Sequence, residues 1–539
     1  MYPNELPIFY SNRTPLKHNH PNSNAPPLLG KVYLVGAGPG DPGLLTLRAV
    51  QCLQKADLVL TDQLVHPRIL KYARPEAEIV YIFHPSQNSK TDIKHASCVY
   101  RQTSEVVSKM IEEAQKGRVI VRLKGGTPEI FGRLAQELAA LRKAGVPYEI
   151  VPGITAGLAA GAYTEIPLTH SESSSAVALL TGHQKAEKQG LPLDYEALGQ
   201  FPGTLVVYMG VATCAEWSAA LIRGGMSPQT PAAIVQRGTW PVQKTIYCPL
   251  GNLPETIAQH QIEPPAVILV GPAVQFGPEQ NWFEARPLFG QRILLTRPED
   301  QSVEIVDQLG ELGADVLVQP AIRIADPPDW RPVDEALDRL DGYDWLVFSS
   351  ANGVRYFLSR LFHRRGDVRR LGRVKLAAIG PGTAAQLEQY HLRADLIPPE
   401  YRAESLAESL TPQTAGKRIL LVRASRGREV LAEQLRSGGA LVEQVAAYSS
   451  TDLSEPDPEI AQALRSGQIH WITVTSSSIA RSLVKMFGPA LQKAKLASIS
   501  PITSETLRQL GYPPAVEARQ YTLPGLVDTI VEAVRSGNA

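Results

Sequence analysis

The chain has 539 residues, roughly three to four times the size of an ordinary domain, so several cores are expected in one polypeptide. Its 54 Lys+Arg and 53 Asp+Glu leave a net charge of +1, which argues against the broad electropositive surface of a nucleic-acid or anionic-membrane binder. No run of about 18 apolar residues occurs, so no membrane span is expected, and Cys52, Cys98, Cys214 and Cys248 form no CxxC, which argues against a disulfide framework or a zinc cluster.

Residues 1–29 read as a disordered tail, rich in Asn, Pro and His and without the apolar region of a secretory signal. His18 and His20 in it read as solvated side chains, no metal site is expected, and a reducing, cytoplasmic setting fits the cysteines. From Lys31 to Val270 short apolar runs suited to strands buried on both faces alternate with helical patterns: 32–35, 57–60, 119–123, 177–181, 204–209, 232–235 and 266–270. Between them FGRLAQELAALRKAG places Phe131, Leu134, Leu138 and Leu141 on one helical face, with Lys143 in the last turn and Gly145 beyond it. This alternation is α/β architecture. Pro- and Gly-rich residues 276–290 read as a linker, with Trp282 and Phe283 as residues that dock it on a surface, so domains are expected over 30–275 and 291–539.

The second half contains an internal repeat. LLTRP (294–298), LGADV (312–316) and FSS (348–350) recur as LLVRA (420–424), GGALV (438–442) and VTS (474–476), each 126 residues on, and AIGPGTA (378–384) recurs as SISPITS (498–504), 120 residues on. Two similar α/β lobes are expected, one per repeat, with their strand-end loops facing across a cleft.

GAGPGDPGLLT (36–46) follows a strand and precedes a helix, where glycines permit close backbone approach to a ligand. Asp41 occupies the sixth position, so the string is not GxGxxG, and no GxxxxGK[ST] occurs; both facts disfavour a nicotinamide dehydrogenase or a Walker-type NTPase. The longer string VGAGPGDPGLLTLRA with ADLVLTDQLV (56–65) resembles the opening signature of uroporphyrinogen-III C-methyltransferases, the S-adenosylmethionine-dependent tetrapyrrole methylase family. The resemblance continues through VRLKGGTPEIFGR (121–133), VPGITAGLAAGAYTEIPLTH (151–170), LLTGH (179–183), VVYMG (206–210), VQRGT (235–239) and PAVILVG (265–271).

That resemblance implies a two-lobed fold with the methyl donor held between the lobes by Pro39, Gly125, Gly126, Thr127, Ile130, Thr155, Ala156, Met209 and Gly238. It assigns proton acceptance to Asp62, for which the plain alternative is a loop or helix-cap aspartate. The family's Gly-Lys-Arg segment falls on Phe83, His84 and Pro85, so a lysine proton donor becomes His84. Thr127 stands where the family has an acidic residue and Glu129 where it has an apolar one. An octacarboxylate substrate needs cations or many oriented donors, and Arg122, Lys124, Arg133 and His170 are candidates, against the alternative of surface or helix-end charges.

SSANGV (349–354), AAIGPGTA (377–384), LLVRAS (420–425), VAAYSST (445–451), TVTSSS (473–478), SISPITSETL (498–507) and TLPGLVDTI (522–530) resemble uroporphyrinogen-III synthase. The resemblance implies a second two-lobed α/β fold with an interlobe cleft and ring closure of hydroxymethylbilane without a cofactor. Ser350, Asn352, Gly380, Thr383, Ser476, Ser477, Thr503 and Ser504 are candidate donors to substrate carboxylates, with helix capping as the alternative. Tyr448 matches a family tyrosine that assists departure of the hydroxyl, with interlobe packing as its alternative; the basic run 363–373 reads as a solvated helix face.

Together these readings predict a bifunctional tetrapyrrole enzyme that makes uroporphyrinogen III in its second half and methylates it twice to precorrin-2 in its first, for siroheme or cobalamin. S-adenosylmethionine is the methyl donor, the other ligands are small tetrapyrroles, and the family implies a homodimer through the methylase half. The alternative is a methylase of a later corrinoid precursor with a catalytically silent tetrapyrrole-binding second half.

Overall fold

In the computed structural model, residues 29–82, 103–183, 193–427 and 429–537 are described. The chain divides into two compact units, Met1–Phe283 and Glu284–Ala539.

The first unit begins β1 (Lys31–Gly36), α1 (Leu47–Leu53), β2 (Leu58–Asp62), β3 (Glu78–Ile82), α2 (Thr103–Gln115), β4 (Val119–Lys124), α3 (Leu134–Lys143) and β5 (Tyr148–Val151). The strands form a fully parallel sheet in the order β3-β2-β4-β1-β5. β1 is apolar throughout because both faces are covered: Val32 and Leu34 pack with Met110 of α2 and Leu141 of α3, while Val35 packs with Cys52 and Leu53 of α1. α4 (Ala156–Tyr163) leads into a mixed sheet of β6 (Ala176–Thr181), β7 (Gly203–Tyr208), β8 (Pro231–Gln236), β9 (Lys244–Pro249) and β10 (Ala266–Val270), flanked by α5 (Cys214–Arg223) and α6 (Leu253–Gln259). Its order is β6-β7-β10-β8-β9, with β10 antiparallel to both β7 and β8. β6, β7 and β8 therefore run the same way and end at one edge. Phe131 departs from the expected helical stripe: α3 begins only at Leu134, and Phe131 lies in the preceding loop with φ +52°. The unit closes on Trp282 and Phe283, which are docked as anticipated: the Trp282 indole donates to the Ala162 carbonyl at 3.1 Å, and Phe283 is buried 4.7 Å from the Tyr163 ring.

The second unit contains β11 (Arg292–Leu295), α7 (Val303–Glu311), β12 (Asp315–Val318), β13 (Ile322–Ala325), α8 (Arg331–Asp338), β14 (Trp345–Phe348), α9 (Ala351–His363), β15 (Lys375–Ala378), α10 (Pro381–Glu388) and α11 (Ala403–Thr414). It continues with β16 (Arg418–Ala424), α12 (Val430–Ser437), β17 (Leu441–Asp452), α13 (Pro458–Arg465), β18 (Trp471–Val474), α14 (Ser477–Phe487), β19 (Lys495–Ser498), α15 (Pro501–Gln509), β20 (Val516–Glu517) and α16 (Leu523–Arg535). The repeat is present: β11, β12 and β14 start 126 residues before β16, β17 and β18, and β15 starts 120 residues before β19. The lobes are nevertheless not the repeats, which corrects the expectation of one lobe per repeat. One sheet, β12-β11-β18-β19-β20, and the other, β13-β17-β16-β14-β15, each combine strands from both halves. The chain crosses between lobes along β13 and the end of β17, which pair antiparallel from Ile322↔Asp452 to Ala325↔Ser449.

Candidate active sites

Because the first sheet is parallel, β1, β2, β4 and β5 deliver Gly36, Asp62, Lys124 and Val151 to one edge. The loops leaving that edge cross at glycines. A Cβ on Gly36 would lie 2.6 Å from the Gly153 nitrogen, and one on Gly153 would lie 2.3 Å from the Gly126 carbonyl oxygen. Gly38 and Gly126 exchange backbone hydrogen bonds of 3.0 and 2.7 Å, and Gly126 has φ +69°. Such a crossing leaves backbone N–H and C=O groups uncovered by side chains along that edge. Pro39, Gly125, Gly126, Thr127 and Ile130 belong to the loops after β1 and β4, and Thr155 and Ala156 open α4 in the loop after β5, so these expected donor-site residues share one edge. Thr127 is buried and its hydroxyl accepts from the Gly153 N–H at 3.1 Å, so the neutral side chain ties two of the loops together.

Met209 and Gly238 follow β7 and β8 at the matching edge of the second sheet. The backbone there is strained: Met209, Arg237 and Thr239 have φ of +54°, +48° and +70°, as do Phe131 and Arg133 opposite them at +52° and +56°. Positive φ on side-chain-bearing residues, one of them β-branched, is stored where surrounding structure over-determines the loop. The edges are joined by polar contacts. The Tyr208 hydroxyl accepts from the Gly157 N–H and lies 2.8 Å from the Thr155 hydroxyl, and burial pushes this phenol up. The Asp41 carboxylate accepts from the Tyr163 hydroxyl at 2.7 Å, while its backbone N–H donates to Thr239 Oγ1 at 3.0 Å.

Asp62 sits at the end of β2, and its Oδ1 accepts from Arg122 Nη2 at 2.7 Å. Arg122 and Lys124 are 3% and 4% exposed, and the Lys124 ammonium donates to Glu137 Oε2 of α3 at 2.7 Å. Burial, with the Arg122 charge beside it, pushes the Lys124 ammonium below the usual lysine range. Two expected substrate contacts are thereby corrected: Arg122 and Lys124 are spent inside a buried ion network, because two cations on one face of β4 can be buried only with carboxylates beside them. His170 is also corrected. It precedes β6, at the sheet edge opposite Met209 and Gly238, with its ring stacked on Phe276 at 4.2 Å and Nδ1 accepting from the Glu172 N–H. Arg133 remains exposed in the loop after β4, donating to the Thr103 hydroxyl at 2.9 Å. His84 lies outside the described residues.

In the second unit Tyr448 is 7% exposed, its hydroxyl 3.0 Å from Ser350 Oγ and its ring stacked on Tyr356 at 5.8 Å. Burial pushes the phenol up. Ser350 also caps α9, accepting from the Gly353 N–H at 3.0 Å, and Ser476 caps α14 at the equivalent place of the repeat, accepting from Ile479. Both serines thus cap a helix directly after a strand, β14 and β18 respectively. Gly380 ends the loop after β15, where a Cβ would press on Tyr401 at 3.1 Å. Asn352 Oδ1 accepts from Gln301 Nε2 at 2.9 Å; Gln301 follows β11 of the other sheet, so this bond links the lobes. Ser477 accepts from the Thr506 hydroxyl at 2.8 Å. Thr383 is buried. Thr503 is buried with its hydroxyl 3.1 Å from that of Ser500; Ser504 is corrected as a ligand donor, being buried in a short bond to Glu517 and 2.6 Å from Ser498. A hydroxyl satisfied on every side has no donor left for a ligand.

Several contributors escaped the sequence reading. Gly36, Gly153 and Tyr208 stood inside the quoted motifs, and Glu137 falls three residues after Leu134 and four before Leu141, on the apolar stripe of α3, a placement that marks a buried carboxylate. Ser500 stood inside SISPITSETL, whereas Gln301 carried no such signal.

Each of the two units matches a family of tetrapyrrole biosynthesis. Residues 31–254 match the family model of tetrapyrrole (corrin/porphyrin) methylases, and residues 303–528 match that of uroporphyrinogen-III synthase HemD. A porphyrin biosynthesis protein HemD of Ruminiclostridium josui is 31% identical over 518 residues, spanning 94% of this chain and 99% of the relative. A uroporphyrinogen-III C-methyltransferase of Bacillus subtilis is 40% identical over 258 residues, 48% of this chain and 96% of the relative. A solved uroporphyrin-III C-methyl transferase from Thermus thermophilus, complexed with S-adenyl homocysteine, is 35% identical and aligns over 47% of this chain and 96% of its own, with a TM-score of 0.39. The chain belongs to the family of HemD proteins in which a tetrapyrrole methylase is fused to a uroporphyrinogen-III synthase.

Proposed function

We propose that the second unit closes hydroxymethylbilane to uroporphyrinogen III and that the first methylates this product twice, through precorrin-1 to precorrin-2, feeding siroheme or cobalamin synthesis. The observation that carries the methylase assignment is the crossing of Gly36, Gly126 and Gly153: a Cβ on Gly36 or Gly153 would meet backbone under 3 Å away, and Gly126 has φ +69°. This wall of bare peptide groups suits the carboxylate and adenine of S-adenosylmethionine, with Pro39, Gly125, Thr127, Ile130, Thr155, Ala156, Met209 and Gly238 as its surroundings. The donor supplies a methyl group on a sulfonium. The chain's own task is to align the acceptor carbon and exclude water. Asp62, held by Arg122, takes the proton that the pyrrole carbon loses once methylated.

In the second unit the Tyr448 hydroxyl donates a proton to the departing hydroxyl of the bilane, which leaves as water. Ser350, Asn352, Gly380, Ser476 and Ser477 offer neutral donors at the strand ends of the two lobes. Controlling the conformation of a flexible polyanion favours such donors over a fixed charge. No helix among the described residues is long and apolar enough to cross a membrane. The free Cys52, Cys214 and Cys248 fit a reducing, cytoplasmic setting. Homodimer formation through the first unit belongs to the same proposal, and sedimentation of the purified chain tests it.

Two separate assays on the full chain test the function. Hydroxymethylbilane alone is expected to yield the type III isomer, and uroporphyrinogen III with methyl-labelled S-adenosylmethionine is expected to yield a doubly labelled product. A type I product in the first, or no transfer in the second, removes the corresponding half of the proposal.

A further inference from the structure

Glu137 is 2% exposed and engages both buried cations of β4, Arg122 and Lys124. We propose that Glu137 is a positioning residue for methyl transfer: by holding Lys124 and the stem of Arg122, it leaves the Arg122 fork to grip one oxygen of Asp62 and keeps the other oxygen open to the substrate. The inference rests on the reading of Asp62 as proton acceptor.

The geometry runs in sequence. Arg122 and Lys124 stand two residues apart on β4, so their side chains share one face of the sheet. Arg122 Nη1 donates to the carbonyls of Leu60 and Leu123 at 3.3 and 3.0 Å, and Nη2 donates to Asp62 Oδ1 at 2.7 Å. Its Nε, buried and without a hydrogen bond, faces Glu137 Oε1 at 3.5 Å. The other Glu137 oxygen takes the Lys124 ammonium at 2.7 Å. Among the described residues Asp62 Oδ2 accepts no hydrogen bond, and the Asp62 side chain keeps 17% of its surface. Two cations and two carboxylates therefore balance, one carboxylate wholly interior and one at the cleft.

Without Glu137 the balance fails. Arg122 and Lys124 would share Asp62 as their one carboxylate, and the Lys124 ammonium, freed from Glu137, would be drawn to Oδ2. The oxygen needed for the proton would then be occupied. The charged groups around Asp62 in this account are Arg122 and Lys124 from β4 and, through Arg122, Glu137 from α3. Glu137 itself takes no proton from the substrate.

The test is a double-mutant cycle on the full chain with uroporphyrinogen III and methyl-labelled S-adenosylmethionine, read in single turnovers, with the first-unit transition in calorimetric scans of the same preparations as the folding control. Glu137→Gln is expected to lower the methylation rate by about 10-fold or more while the KM for S-adenosylmethionine stays within about twofold. In the Asp62→Asn background the same change is expected to cost less than about threefold, because its target is already gone. Glu137→Asp, which keeps the charge, is expected to recover part of the rate. Losses that multiply across the cycle, or a Glu137→Gln rate equal to the parent, would overturn the role of Glu137. An Asp62→Asn chain as fast as the parent would overturn the proton-acceptor reading itself, a different and separable failure. If Glu137→Gln does not fold, the cycle is run with Glu137→Asp, whose shortened carboxylate is expected to show the same non-additivity with Asp62→Asn.

Discussion

Replacing Gly153 with alanine probes the glycine crossing by adding one methyl group. The backbone of Gly153 is in a region any residue adopts, so the cost is one of space alone. The new Cβ would stand 2.3 Å from the Gly126 carbonyl oxygen and 2.9 Å from Gly36, both rigid backbone. The carbonyl must withdraw by about 0.7 Å to restore even a 3.0 Å separation. That movement strains the reciprocal Gly38–Gly126 hydrogen bonds, worth about 1 kcal/mol each, on top of about 1–3 kcal/mol for overpacking. A total of about 2–5 kcal/mol corresponds to a fall of roughly 4–20 °C in the melting of the first unit. Calorimetric scanning of the full chain, with titration of S-adenosylhomocysteine, measures both consequences: a lowered first-unit transition and loss of binding, with ring closure unchanged. Gly145→Ala is the control, since Gly145 has φ +67° and open space around its Cβ position; about 1 kcal/mol and normal binding are expected there. A Gly153→Ala chain that melts and binds like the parent would refute the crossing as the wall of the donor site.

Tyr448→Phe removes a hydroxyl bonded to Ser350 and is expected to slow ring closure at least about 10-fold for about 1 kcal/mol of stability; unchanged turnover in a ring-closure assay counts against Tyr448 as the proton source. Ser504→Ala should do the reverse, costing about 1–3 kcal/mol in urea unfolding by stripping Glu517 of a buried partner while leaving substrate affinity alone, and a large rise in KM would return Ser504 to the ligand site. Glu113, bonded first to Lys116 and then to Lys109 and Arg118, has its carboxyl held down at about 2. A carboxyl depressed on folding stabilises above its unfolded pKa, so about 1–2 kcal/mol should be present at pH 6 and fade as pH falls from about 4.5 toward 2. Comparing parent and Glu113→Gln by denaturant unfolding across that range checks this, and a difference that persists undiminished at pH 2 contradicts it.

What the sequence made legible follows from how strongly each element is constrained. Strands buried on both faces, such as β1, β4 and β7, announce themselves as apolar runs, whereas the edge strands β3, β5 and β9 are only partly buried and mix polar with apolar residues, so they form no such run. The repeat disclosed which segments are alike but not where the chain crosses, because the crossing is made by the short β13 and by the tail of β17, whose register depends on each other alone. The methylase glycines were readable since only glycine tolerates their spacing. Charges were not: a lysine on a strand looks the same in sequence whether it meets a substrate carboxylate or, like Lys124, a glutamate arriving from α3. Hydroxyls share that ambiguity, which is why Ser350 and Ser504, in equally serine-rich loops, end with different duties.

The central claim, that one chain makes uroporphyrinogen III and then methylates it, is tested most directly in a single vessel. Purified full chain receives hydroxymethylbilane and methyl-labelled S-adenosylmethionine under reducing, anaerobic conditions, and the products are resolved by isomer and mass. A type III tetrapyrrole carrying two labelled methyl groups is expected. Recovery of unmethylated type I material alone would contradict the claim.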